Sequence, residues 1–264
     1  MNVDTERGGF PGELRRRRTA RRVSQLELAV RAGTTQRHLS FMERGRSRPG
    51  RAMVIRIAES LELPLRERNS LLHAAGYAPV YPESRLEEPM LRPVREALDG
   101  ILQGHMPYPA MVVRPYGEVV AANGALAVLT EGASPELLAG PVNMLRLMLH
   151  PDGMAKRVVN LAQWGRHVTG NMRAHADRNP DPRLDAFIAE LEEYLPDEAP
   201  GPDHLGFAVP LRLARADGPG ELRLITTLTS FATAVDVTLA ELHLEAFLPA
   251  DEETAEALRA RAAR

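Results

Sequence analysis

Apolar positions in the first third of the chain recur at helical spacing, in short runs separated by strong breakers. A first helix is expected over about Gly12 to Arg22. Ser24 with Glu27 three residues later forms a capping box, which opens a second helix over Gln25 to Arg31. Leu26, Ala29 and Val30 fall at i, i+3, i+4 and are its expected inward face. Ala32-Gly33 stops it, because glycine adopts the left-handed conformation that ends helices. Thr34 caps a third helix, Thr35 to Arg44, closed by Gly45. After the breaker-rich loop Arg46 to Gly50 comes a fourth helix, Arg51 to Leu61, burying Val54, Ile57, Ala58 and Leu61. Pro64 starts a fifth, which runs to about Ala75 and is closed by Gly76.

The pattern then loses its period. Ala78 to Glu88 holds two prolines and reads as a linker, followed by a helix from about Glu88 to Leu102 with Leu91, Val94, Leu98 and Ile101 on one side. Ala110 to Arg114 and Glu118 to Ala121 are short β-rich runs around Pro115-Tyr116-Gly117, a hairpin signal. A long helix is expected over Gly153 to about Asn179, with Met154, Val158, Leu161, Gly165, Val168 and Met172 in one stripe and Trp164 beside it. The helix entry at His150-Pro151-Asp152-Gly153 would be capped by Asp152. Leu184, Phe187, Ile188, Leu191 and Leu195 mark another helix. A Pro/Gly/Asp-rich loop over 196–203 precedes three alternating runs, Phe207 to Ala214, Glu221 to Phe231 and Glu241 to Leu248, and Asp251 caps a final helix. The last strand alternates Leu242, Leu244, Ala246 and Leu248. The expected organisation is an all-α N-terminal domain over 1–77, a linker over 78–88, an α+β domain over 89–250 and a helical tail over 251–264.

Charge sharpens this division. The net charge of -2 conceals 16 Arg against 8 Asp+Glu in residues 1–80, a balance of +8, leaving -10 for the remainder. A basic head on an acidic body fits a nucleic-acid contact surface attached to a second module, although a solvated Arg-rich face has the same signature. With 44% hydrophobic and 26% charged residues the composition is that of a globular protein. No apolar run approaches the roughly 18 residues of a membrane span, and no secretory signal opens the chain, so a cytoplasmic location is expected. The chain has no cysteine, which removes disulfides, thiolate metal sites and cysteine catalysis.

The segment SQLELAVRAGTTQRHLSFMERGRSRP, Ser24 to Pro49, carries the most specific pattern. It resembles the helix-turn-helix of XRE-family, phage-repressor-like regulators, and the resemblance covers about Gly12 to Ala75. Residues in the first turns of such a third helix meet base edges in the major groove of double-stranded DNA. With Leu39 and Met42 inward, Thr35, Gln36, Arg37 and Ser40 are the expected base readers. Gln can pair with adenine and Arg with guanine through two hydrogen bonds each. Gln25, His38, Arg44, Arg46, Arg48 and Arg51 are the expected contacts to the DNA backbone. A helical interaction module without a DNA role is the competing reading.

The stretches PYPAMVVRPYGEVVAANGAL, NMLRLMLHPDG and LITTLTSFATAVDVTLAELHLEAFLPAD, with LRERNSLLHAAGYAP before them, resemble MmyB-like transcription regulators. That resemblance implies a PAS-like domain, a five-stranded antiparallel sheet with helices on one face, and binding of a small apolar, fatty-acid-like effector. A methionine-rich interior can leave an adaptable apolar cavity. Met111, Asn123, Met144, Met148, His150, Arg157 and Trp164 are the candidate ligand contacts. The methionines could equally be plain core, and Asn123 a helix cap. An anionic head group would want an arginine, for which Arg114, Arg146 and Arg157 are candidates.

Eight scattered histidines form no HExxH or His-x-His pattern, and GxSxG, GxGxxG and Walker A patterns do not occur, so neither metal nor cofactor nor catalysis is expected. The expected molecule is a one-component regulator, homodimeric because a single helix-turn-helix covers one half-site. The segments 86–102 and 153–179 are candidates for the dimer contact. A C-terminal domain that only dimerises or binds a protein partner remains open, as does an enzyme localised by its helix-turn-helix.

Overall fold

A computed structural model describes residues 9–177, 181–197, 208–231 and 234–263. They divide into two compact units. One is built on the chain up to Arg85, joined by short pieces near 175–177 and 234–240; the other comprises the remainder.

The described N-terminal stretch of the first unit folds into α1 Phe10–Ala20, α2 Gln25–Arg31, α3 Gln36–Glu43, α4 Arg51–Ser60 and α5 Leu65–Ala74. Ser24 Oγ accepts from Glu27 N at 3.1 Å and caps α2. Thr35, one residue beyond the expected cap, accepts from His38 N at 3.1 Å and opens α3. Gly33 joins the two at φ +62, a conformation that strains any residue with a Cβ. The core gathers Phe10, Leu14, Leu28, Leu39, Met42, Val54, Ile57, Leu71 and Leu72. The expected inward face of α2 is corrected: Leu28, Ala29 and Ala32 are buried, whereas Leu26 and Val30 are 58% and 72% exposed. The short helix offers two apolar stripes, and packing against α3 and α4 selects the one with small alanines, which let helices approach closely.

The second unit contains α6 Arg92–Gly104, β1 Ala110–Val113, β2 Val119–Ala122, α7 Pro135–Leu138, α8 Met144–Leu149, α9 Leu161–Ala176, α10 Pro182–Glu193, β3 Leu211–Ala214 and β4 Glu221–Ser230. Next come β5 His243–Pro249 and α12 Glu252–Ala262; α11 Val237–Glu241, between β4 and β5 in the chain, falls almost wholly in the first unit. The five strands form one antiparallel sheet of order β2-β1-β5-β4-β3. This is the PAS-like arrangement, with β5 central. Register places Met111, Val113, Leu222, Leu224 and Phe247 on one face, where they join Met144, Leu147 and Met148 of α8, Trp164 of α9, and Phe187 and Leu191 of α10 in one core. Ala110, Val112 and Ala246 are buried on the opposite face. Alternation in the last strand predicts Leu242, Leu244, Ala246 and Leu248 as its single apolar side. Both sides of β5 are engaged, because Phe247 enters the main core.

The helix expected over Gly153 to Asn179 is shorter, and its described end is Ala176. Residues 153–160 are turns except Val158, which bridges antiparallel to Leu213. The reason is competition for backbone hydrogen bonds. Met154 N donates to Leu147 O at 2.8 Å, and a Cβ on Gly153 would lie 2.1 Å from that same carbonyl. Val159 N donates to Arg212 O and Ala214 N to Arg157 O, both at 2.8 Å, so 157–159 pairs with β3. Asn160 completes the seam: its Nδ2 donates to Pro210 O at 2.9 Å and its Oδ1 accepts from Arg212 N at 3.1 Å. An edge strand is thereby covered. Val142 does the same for β2, accepting from Val119 N. The strand expected from Phe207 begins at Leu211. Positions 198–207 of the expected loop and strand lie outside the described residues.

The prolines of 78–88 do exclude helix there, yet the backbone is pinned. Asn69 Oδ1 accepts from Val80 N and Tyr81 N, each at 3.1 Å, and its Nδ2 donates to Tyr81 O at 2.7 Å. Further on, Ser84 N donates to Asp236 Oδ2 at 3.0 Å and Val237 N to Pro82 O at 2.8 Å. Asp236 is buried and also accepts from Thr238 N, capping α11.

Candidate nucleic-acid interface and effector face

The orientation of α3 rests on one buried carboxylate. Glu43, 3% exposed, accepts from Arg18 Nε at 2.6 Å and Arg18 Nη2 at 3.1 Å. It accepts as well from Gln25 Nε2 at 2.7 Å. Arg18 in turn donates to Val23 O at 2.8 Å. One side chain therefore ties α1, the start of α2 and the end of α3 together. Gln25, expected at a DNA phosphate, has its amide on Glu43; its place at the α2 N-terminus is otherwise as expected.

In its first turn α3 presents Gln36 and Arg37, both exposed. Arg37 and Arg44 both stack on Phe41, with guanidinium carbons 5.3 and 5.6 Å from its ring centre. Stacking of this kind holds a cation without consuming its hydrogen-bond donors. Arg44 additionally donates to Ser40 O at 3.1 Å and Ser40 Oγ at 2.8 Å, so Ser40 and Arg44 are engaged with each other. Thr35 is the cap described above, and His38 Nδ1 lies 2.9 Å from Thr34 Oγ1. Arg46 and Arg51 are exposed, beyond α3 and at the start of α4. Arg48 reaches Ala75 O at 3.4 Å. The structure thus brings Gln36, Arg37, Ser40 and Arg44 onto one helix, with Arg46 and Arg51 following it. On α1, Arg17 is buried among Glu13 and Glu67, and burial lowers its pKa against the opposing pull of Glu67.

In the second unit the apolar candidates Met111, Met144, Met148 and Trp164 belong to the main core, Trp164 included although its helical phase places it beside the stripe. Asn123 is a fastener rather than a cap. Buried, it accepts from Ala110 N at 3.2 Å and donates to Leu102 O at 3.0 Å and Tyr108 O at 2.9 Å. His150 stacks edge-on against Tyr194 at 4.9 Å and accepts from Asp152 N at 3.0 Å. The three head-group arginines are all engaged. Arg157 closes off β3, donating to Ala214 O at 3.0 and 2.8 Å and to Glu131 O at 2.6 Å. Arg146 grips Glu190 at 2.5 and 2.8 Å over the Phe187 ring, which holds the Glu190 carboxyl below its usual range. Arg114 pairs with Glu118 at 2.6 Å.

Three residues escape sequence reasoning. Glu43 reads there only as the end of its helix. Phe41 is an aromatic four residues after Arg37 and three before Arg44, a spacing that could flag it. Glu245 stands on the same face of β5 as Phe247, the side that strand alternation leaves polar and that the fold turns toward the main core. Burial alone pushes its carboxyl up to about 7.

Among known proteins, the family model described as the MmyB-like transcription regulator ligand binding domain matches residues 94–260. One described as helix-turn-helix matches residues 14–68. An uncharacterized HTH-type transcriptional regulator, y4dL, of Sinorhizobium fredii is 42% identical over 53 residues, 20% of this chain. The chain spans about a quarter of that relative, 27% of its length. A solved RNA-binding light-oxygen-voltage receptor is 16% identical, over 98% of this chain and 64% of that one, with a TM-score of 0.27, too low to carry an argument.

Proposed function

This chain belongs to the MmyB-like transcription regulators, joining a helix-turn-helix to their ligand-binding domain, and on that premise we propose that it reads an operator through α3 with an affinity set by a small apolar effector. The observation that carries the DNA half is the presentation of Gln36 and Arg37 in the first turn of α3, on a helix anchored at its last turn by Glu43. Gln36 and Arg37 read bases, with Thr35 and Ser40 beside them. Arg44, Arg46, Arg48 and Arg51, with His38, follow the sugar-phosphate chain, while Gln25 holds the start of α2 against Glu43. The protein works as a homodimer in the cytoplasm, since one helix-turn-helix covers one half-site. No helix among the described residues is long and apolar enough to cross a membrane. It acts by binding and not by catalysis.

The effector half rests on the methionine-rich core beneath the sheet and on Leu228, apolar yet 62% exposed, on the same face of β4. A fatty-acid-like chain suits such a surface. The route to DNA affinity is the connection between β4 and β5. Residues 234–240 leave the sheet and hold Pro82 and Ser84 through Val237 and Asp236, so strand movement would pull on the segment that follows α5.

Titration of cognate and random duplex by fluorescence anisotropy tests the DNA assignment. Gln36→Ala with Arg37→Ala should erase the preference for the cognate site, each lost base pairing costing about 1 to 3 kcal/mol. Arg46→Ala should weaken both duplexes alike and reduce the salt slope by about 1. Equal losses on both duplexes for both variants would refute it.

A further inference from the structure

We propose that Glu245 is the head-group contact of the effector face and selects an amphiphile whose head donates hydrogen bonds, an amine or a hydroxyl, over one that ends in a carboxylate. This rests on the effector reading above and deepens it. Glu245 sits mid-strand on β5, the central strand. Register sets it directly between Met111 of β1 and Leu228 of β4. Its carboxyl therefore projects from the face that carries the main core, with Phe247 two residues along.

Two surroundings meet at that point. On the β1 side Met111 is fully buried. On the β4 side Thr226, Leu228 and Ser230, which share the face, are exposed. Glu245 is thus at the border between packed interior and an open strip containing one large apolar side chain. An amphiphile lying along that strip would place its polar end against the carboxyl.

The chemistry of the border decides the class of head group. Met111, Val113, Thr226, Leu228 and Ser230 are the same-face positions of the flanking strands, and none carries a charge. Among the described residues no ion pair or hydrogen bond engages the Glu245 side chain, and burial alone moves its titration. A partly buried acceptor without a donor costs free energy that an incoming donor recovers. The arginines that could have welcomed a carboxylate are committed to Glu190, Glu118 and the Ala214 carbonyl. A carboxylate head would meet a like charge, whereas an ammonium gains a charge-assisted bond and a hydroxyl a neutral one.

The test uses the full chain with decylamine, decanol and decanoate, matched in length and kept below micelle formation, by calorimetric titration at about pH 8, above the Glu245 midpoint. Decylamine should bind at least about tenfold more tightly than decanoate, with decanol between them. Glu245→Gln, similar in volume, should compress the amine-to-carboxylate ratio to within about threefold and leave decanol within about twofold, with Trp164 fluorescence unchanged as the check on folding. The wild-type ratio is a readout that needs no variant. Decanoate binding as tightly as decylamine, or a ratio unmoved by Glu245→Gln, would overturn the head-group assignment while leaving effector binding standing. Failure of all three probes to bind would overturn both.

Discussion

Removing the Glu43 carboxylate should strongly destabilise the helix-turn-helix while sparing the sheet domain. In wild type three donors converge on it, two from Arg18 and one from Gln25, at 2.6 to 3.1 Å. Glu43→Ala leaves the Arg18 guanidinium, 14% exposed, with only the Val23 carbonyl. Breaking a buried pair by deleting one member costs about 3 to 5 kcal/mol, because a charge is left uncompensated. The orphaned Gln25 amide adds about 1 kcal/mol. A helical unit of this size has a total stability of order 5 to 10 kcal/mol, so the variant loses about half of it. At about 4 to 8 °C per kcal/mol for a small domain, its melting point should fall by more than about 15 °C. Thermal unfolding followed at once by far-UV circular dichroism and by Trp164 fluorescence separates the units. Trp164 lies in the sheet domain's core and should report an unshifted transition. Replacing both partners, Arg18→Met with Glu43→Met, should recover most of the loss, since an apolar pair needs no counter-charge. A loss below about 1 kcal/mol for Glu43→Ala, or a double variant no better than the single one, would refute the clamp.

Two further outcomes follow from burial. Leu28→Ala, at a fully buried position, should cost about 2 to 5 kcal/mol, whereas Leu26→Ala, two residues earlier and exposed, should stay within about 0.5 kcal/mol in the same denaturant titration. The folded Glu245 carboxyl titrates at about 7 against 4.5 for the free group, so the folded state holds its proton more tightly than the unfolded one. Stability from this group is fully present below 4.5, falls as pH rises toward 7 and stays lowered above it. His243 is the one titratable neighbour on its strand face, and β1 and β4 supply no charge there. The 2.5-unit difference, 7 minus 4.5, corresponds to at most roughly 3 kcal/mol. Glu245→Gln should therefore match wild type near pH 4.5 and exceed it by up to that amount near pH 8. Parallel pH profiles for the two proteins would contradict the placement.

Much of the helix-turn-helix is legible in the amino-acid sequence. Caps and breakers are local devices, so Ser24, Gly33, Gly45 and Asp251 mark element ends within a residue or two. The base-reading candidates Gln36 and Arg37 follow from the same local phase, because Leu39 and Met42 turn the opposite side of the helix inward. Alternation likewise announces the strands, and the charge split of +8 and -10 separates the two modules.

What the tertiary structure decided is which of two equivalent local options is used. Leu26 and Val30 have the right spacing for a core, yet α3 and α4 pack on Leu28, Ala29 and Ala32. Met154 and Val158 sit at helical spacing, yet the free edge of β3 offers their segment better backbone partners than another helical turn. Gln25 has the chemistry of a phosphate contact, yet Glu43, eighteen residues away, takes its amide first. The position of Glu245 beside Met111 depends on a pairing across more than one hundred residues of chain. Local sequence sets propensity, phase and caps, since these depend on neighbours a few residues away. Partner choice depends on which groups compete for the same hydrogen bond or the same apolar surface, and only the folded chain brings those competitors together.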